Sequence, residues 1–326
     1  MKQLVFKKSN FNIVVDPVVE CFGVLFILSD FSLNKTRSNE KYVERAKECF
    51  SKFCNHKLVE IFKKLLKNGA FKYDAPIEMA LCISQGIEPS VELLQRANLD
   101  SKGFVELKNH LLEFMKQTEF EKYFQENIDS YVANIEKFYS KISAFQPQVF
   151  LFDFLGLKSD KLNVLLMFLA TTSNYGIKIG DRLYCCIRPY KESAYNNDID
   201  FAFDMPYVTS LILHEFAHSF INPLTSKYIK AYKNINMAKF KEIFNKQPYG
   251  EHVQTAINEL IIRAIECIYI KRFFPKEYQK FKQEYIDDGF GKINLIEPTL
   301  QRYFQEKTEE QTITDIYPKL LDILIL

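Results

Sequence analysis

Residues 204–223 read Asp-Met-Pro-Tyr-Val-Thr-Ser-Leu-Ile-Leu-His-Glu-Phe-Ala-His-Ser-Phe-Ile-Asn-Pro, an apolar stretch that carries His214, Glu215 and His218. Asp204 can cap a helix with its side-chain oxygen and Pro206 suits a first turn. The spacing therefore predicts a helix running to about Phe220, stopped by Asn222-Pro223. On that helix residues four apart stand one turn apart on one face, so the imidazoles of His214 and His218 can reach one point. Leu211-Ile212-Leu213 and Phe216-Ala217 leave the motif uninterrupted by other charge, so the helix can be buried. Without an ion, two core histidines and a carboxylate there would need other partners, because buried polar groups are costly unpaired.

Two histidines four apart with a glutamate after the first are the spacing of a helical zinc site. The histidines would be ligands, and Glu215 would stand beside the ion as general base and then general acid. A catalytic zinc takes a third protein ligand and keeps one position open. Downstream candidates are Glu242, Glu251, His252, Glu259 and Glu266. Glu259 is the most informative, because Thr255 to Ala264 reads as a helix in which it stands among Ala256, Ile257, Leu260, Ile261 and Ile262. A carboxylate buried there needs either a metal or Arg263, four residues on. The expected metal ligands are thus His214, His218 and Glu259, with a plain Glu259–Arg263 ion pair and His252 as third ligand left open. Hydrolysis also needs a donor to the developing oxyanion, and Tyr249 or His252, just before the Glu259 helix, can supply it. Either can equally be a surface or capping residue.

The composition fits a globular protein rather than a nucleic-acid binder. In 326 residues, 43 Lys and Arg nearly balance 41 Asp and Glu, for a net charge of +2, so no basic field points to nucleic acid. A hydrophobic fraction of 47% supports a sizeable core. The seven cysteines form no CxxC pair and no even framework, which reads as free thiols in a reducing compartment. No apolar run is long enough to span a membrane and the N-terminus lacks the apolar core of a leader. The expectation is a cytoplasmic chain, or a secreted or periplasmic one if a leader has been removed.

Along the chain, 11–30 passes from a short apolar run through Asp16-Pro17 into a buried helix. Helical periodicity follows at 39–54, 56–68 (ended by Gly69), 74–84, 93–97, 104–117 and 120–142. The character changes near Pro147: 149–157 and 162–172 read as buried strands. Two apolar runs around Gly180-Asp181 read as a hairpin, with 189–204 a loop. The strand 182–188 can be an edge that pairs with an extended peptide, or an ordinary internal strand. Cys185-Cys186 within it lacks a nucleophile's local signature. Helices follow at about 225–245, 251–271, 276–286, 297–305 and 312–324. The predicted class is α+β, mainly helical, with a helical region at 1–147 and a catalytic region with a small β-hairpin at 148–326.

His-Glu-x-x-His followed by Asn258-Glu259 on a later helix resembles the gluzincin arrangement of thermolysin-like peptidases, in which that glutamate binds zinc. Over most of its length the chain also resembles a bacterial family of gluzincin-like domains of unknown function. The shared stretches are Val15 to Leu28, Tyr73-Asp74-Ala75-Pro76, the His-Glu-Phe-x-His-Ser-x-x-Asn-Pro run at 214–223 and Asn-Glu-x-x-x-Arg-Ala at 258–264. The resemblance implies one zinc ion and a peptide or protein substrate, without naming it. A relative that binds metal and recognises peptides without cutting them is the alternative.

Overall fold

The computed structural model describes residues 2–7, 11–29, 40–67, 69, 71, 74–157, 161–169, 173–189, 201, 204–231 and 252–325. The chain is α+β and mainly helical, with a mixed five-stranded sheet. It divides into two compact units, Met1–Lys141 with Lys161–Phe203, and Ile142–Asp160 with Asp204–Leu326.

The first unit holds β1 (Leu4–Lys7), β2 (Asn12–Val15), β3 (Leu162–Leu166), β4 (Tyr175–Ile179) and β5 (Arg182–Ile187), in the order β1-β2-β3-β5-β4. Its helices are α1 (Pro17–Leu28), α2 (Glu40–Phe50), α3 (Lys57–Lys67), α4 (Ala75–Gln85), α5 (Val91–Arg96), α6 (Ser101–Gln117), α7 (Phe120–Glu126) and α8 (Ile128–Ile142), the last ending at the junction. β2, β3 and β5 are parallel, with Val14 beside Leu165 and Val164 beside Cys185. All five residues of β3 are buried, so the strand reads as a continuous apolar run without alternation. The turn from β2 into α1 is set by Asp16, whose carboxylate accepts the amides of Val18 at 2.8 Å and Val19 at 3.0 Å, while Pro17 needs no acceptor.

The hairpin expected at Gly180-Asp181 is present: β4 and β5 pair antiparallel, and Gly180 takes the positive φ of 58° that a two-residue loop requires. β5 is hydrogen-bonded on both sides, to β3 and β4, so it is an internal strand and offers no edge to a peptide. Cys185 and Cys186 are buried within it.

The second unit is helical: α9 (Pro147–Leu155), α10 (Met205–Tyr228), α11 (Val253–Phe273), α12 (Tyr278–Asp287), α13 (Ile293–Glu306) and α14 (Ile313–Ile325). α11 is its centre, buried nearly all round from Ala256 to Ile270.

Several sequence expectations change. Residues 149–157 are not a strand: Pro147 opens α9, Gly156 closes it, and Phe150, Leu151, Phe154 and Leu155 are buried at helical spacing while Val149 is exposed. The helix expected over 120–142 is two helices, divided at Asn127, whose side chain turns back to the Tyr123 carbonyl at 2.7 Å. α10 does not stop at Pro223. A proline removes one helical N–H bond, and the following turn is held by buried Thr225. β1 had no counterpart in the sequence reading, and no single cut at 147/148 separates the units. Residues 161–203 join the first because β3 pairs with β2 across the long intervening sequence. The expected helix over 225–245 lies largely outside the described residues, as does most of the 189–204 loop.

Candidate metal centre

α10 and α11 lie side by side. Thr225 meets Asn258 at one end and His214 meets Glu266 further along, so the two helices run antiparallel. This register brings the one-turn pair His214 and His218 against Glu259 of α11. Nε2 of His214 lies 3.1 Å from Nε2 of His218. The Glu259 carboxylate faces both imidazoles, with Oε1 at 3.4 Å from His218 Nε2 and Oε2 at 3.6 Å from His214 Nε2. Bonds of about 2.0–2.1 Å to a tetrahedral ion place ligand atoms roughly 3.3 Å apart. The two imidazole nitrogens stand near that separation, and one donor atom from each of the three residues lies within 4.8 Å of the others. Among the described residues this is the group of His, Cys, Asp and Glu side chains that could hold a metal ion.

Each histidine is also held from behind. Nδ1 of His214 faces Glu266 Oε2 at 3.0 Å and Nδ1 of His218 faces Asn222 Oδ1 at 3.2 Å. An acceptor behind Nδ1 keeps the proton there and leaves the Nε2 lone pair free for a metal ion. Glu259 is gripped by Arg263, whose Nη2 donates to Oε2 at 3.1 Å, and the guanidinium lies over the rings of Tyr285 and Phe290.

Glu215, Glu259 and Glu266 are all buried, and among the described residues the Arg263 guanidinium accompanies them. Fully ionised, the three carboxylates exceed Arg263 by two negative charges. Burial by itself would lower the basicity of His214, but the Glu266 and Glu259 carboxylates outweigh it and raise the imidazole to about 9. Burial raises the Glu215 carboxyl against the pull of the two histidines. Glu259 is pushed up by burial too, yet His214, His218 and Arg263 bring it down to about 2. A divalent cation carries the same two charges.

The structure thus brings together His214, His218, Glu259 and, following His214 on the same helix, Glu215. Arg263 and a ligand role for Glu259 are not alternatives, because the carboxylate reaches both. His252 stands apart: it is the exposed residue before the first turn of α11 and does not join the group. Tyr249, Glu242 and Glu251 lie outside the described residues. Of the remaining histidines, His56 accepts the Leu58 amide at 3.1 Å and His110 sits beside Glu106 and Glu113. The roles of Glu266 and Asn222 were not read from the sequence. Glu259, Arg263 and Glu266 share one face of an otherwise apolar helix, and that polar stripe was the available signal.

Fold and site define a mainly helical α+β protein with a buried His-His-Glu group able to hold a metal ion. The chain belongs to the family described as Domain of unknown function (DUF4932), which matches residues 13–323. No curated protein and no solved structure matches it. Among the described residues no helix is long and apolar enough to cross a membrane.

Proposed function

We propose that the chain is a zinc-dependent peptidase with His214, His218 and Glu259 as ligands and Glu215 as the proton-transferring group. The observation that carries this reading is the convergence of His214, His218 and Glu259, one donor atom of each within 4.8 Å of the others, with acceptors already behind both histidines. Two imidazoles and one carboxylate are the donor set of catalytic zinc, and three protein ligands leave a position for reactants. Zinc held there would supply Lewis acidity, polarising a carbonyl and lowering the pKa of water to roughly 7.

The chain's own groups do the rest. Glu215 is buried and outside the ligand group, so its carboxylate is available to take the proton of the attacking water and pass it to the leaving amine nitrogen. Burial, which raises its pKa, moves it toward the range in which both halves of that transfer proceed. Glu266 and Asn222 hold the imidazoles in place throughout.

Metal analysis of protein purified without chelator, followed by turnover of a peptide library, tests the reading. About one zinc per chain is expected, with turnover in the wild type and a loss of roughly 10²–10⁴-fold in Glu215→Gln at unchanged metal content. Metal without turnover in the wild type would favour a peptide-recognition module. Absence of zinc would refute the site.

A further inference from the structure

We propose that Arg263 is a positioning residue that restricts Glu259 to a single ligand oxygen, Oε1, and so keeps a coordination position open; this rests on the zinc reading above. A carboxylate has two oxygens and can close on an ion with both. Here they are already differentiated. Oε2 accepts the Arg263 Nη2 bond at 3.1 Å and lies 3.6 Å from His214 Nε2, whereas Oε1 faces His218 Nε2 at 3.4 Å.

Arg263 is built to hold that division. Its guanidinium carbon lies 4.8 Å from the Tyr285 ring centroid and 4.5 Å from that of Phe290, so two aromatic faces fix the plane of the fork. An ion pair that served only to neutralise Glu259 would need charge but no fixed plane, and a lysine would do. The pair is also sheltered, with the Glu259 side chain 8% exposed and that of Arg263 21%. A ligand carboxylate held in this way stays in place but cannot rotate both oxygens onto the ion.

X-ray absorption at the zinc edge, on zinc-loaded protein, tests the proposal. The wild type is expected to show four nitrogen and oxygen neighbours, and a zinc-loaded crystal structure Glu259 bound through Oε1 with Oε2 on Arg263. In Arg263→Met the neighbour count should rise to five with a longer mean bond, and turnover per bound zinc should fall roughly 10–100-fold. Identical absorption spectra in a folded, zinc-loaded variant would overturn the role of Arg263. So would a wild-type structure with both Glu259 oxygens on the ion, a measurement that does not depend on the variant folding. Failure of the wild type to hold zinc would instead defeat the peptidase reading, and metal content alone separates that result from the others.

Discussion

Oε2 of Glu266 lies 3.0 Å from Nδ1 of His214, across the α10–α11 interface and two turns along α11 from Glu259. One face of α11 therefore supplies both the carboxylate that faces the two histidines and the one behind the first of them. Glu266→Gln keeps the shape and an acceptor oxygen but removes the charge. Zinc affinity should fall roughly 10–100-fold, measured by competition with a chromophoric chelator. An unchanged dissociation constant would show that the contact does not orient His214 as a ligand.

On the proposed zinc reading, the ion should stabilise the fold. An ion that binds the folded chain at about 100 times its dissociation constant adds about 2.7 kcal/mol. Unfolding of the zinc-loaded protein should thus shift to lower temperature on adding a chelator and recover on adding zinc. In His218→Ala, which removes one of the three converging side chains, the zinc-dependent shift should vanish. A shift of wild-type size in that variant would place the ion elsewhere.

Below the metal group, the Thr225 hydroxyl touches both Asn258 Oδ1 and the Tyr317 hydroxyl, joining α10, α11 and α14 inside the core. Thr225→Val would strand two buried polar partners, whereas Tyr317→Phe removes one hydroxyl and leaves the single Thr225 proton to Asn258 Oδ1. The valine variant should lose about 1–3 kcal/mol and the phenylalanine variant about 1 kcal/mol, read from denaturant midpoints. Equal losses would mean that Asn258 does not depend on Thr225.

The legible parts of the molecule were those written in short sequence spacing. His214 and His218 are four apart, Glu259 is isolated among apolar neighbours, and the Gly180-Asp181 loop demands a positive φ. Features set by tertiary register were not legible. Glu266 reaches His214 only because α10 and α11 run antiparallel, and Asn222 is part of the site only because α10 continues through its position and past Pro223. Residues 149–157 were misread because an apolar run of that length shows no clear period, although Pro147 and Gly156 bracket it as a helix. β1 was missed because Leu4–Lys7 is half exposed and becomes a strand by pairing with β2.

Two glycines that close helices in the same way should respond differently to substitution. Gly86 ends α4 and Gly156 ends α9, both left-handed, with φ of 65° and 67°. Each motif bonds the following amide back to the helix: Ile87 to the Cys82 carbonyl at 3.0 Å, and Leu157 to the Phe152 carbonyl at 3.1 Å. Alanine at either position meets the left-handed penalty of about 1–2 kcal/mol. At Gly86 nothing lies within 4 Å of an added Cβ, so that penalty should be the whole effect. At Gly156 the Cβ would come 2.3 Å from the Gln311 carbonyl oxygen, a backbone atom of the segment leading into α14. Either α9 or that segment must move, so Gly156→Ala should cost more than Gly86→Ala by at least about 1 kcal/mol, within the range for overpacking. Denaturant unfolding of the two variants side by side decides it, and equal losses would show that the Gln311 segment yields without cost.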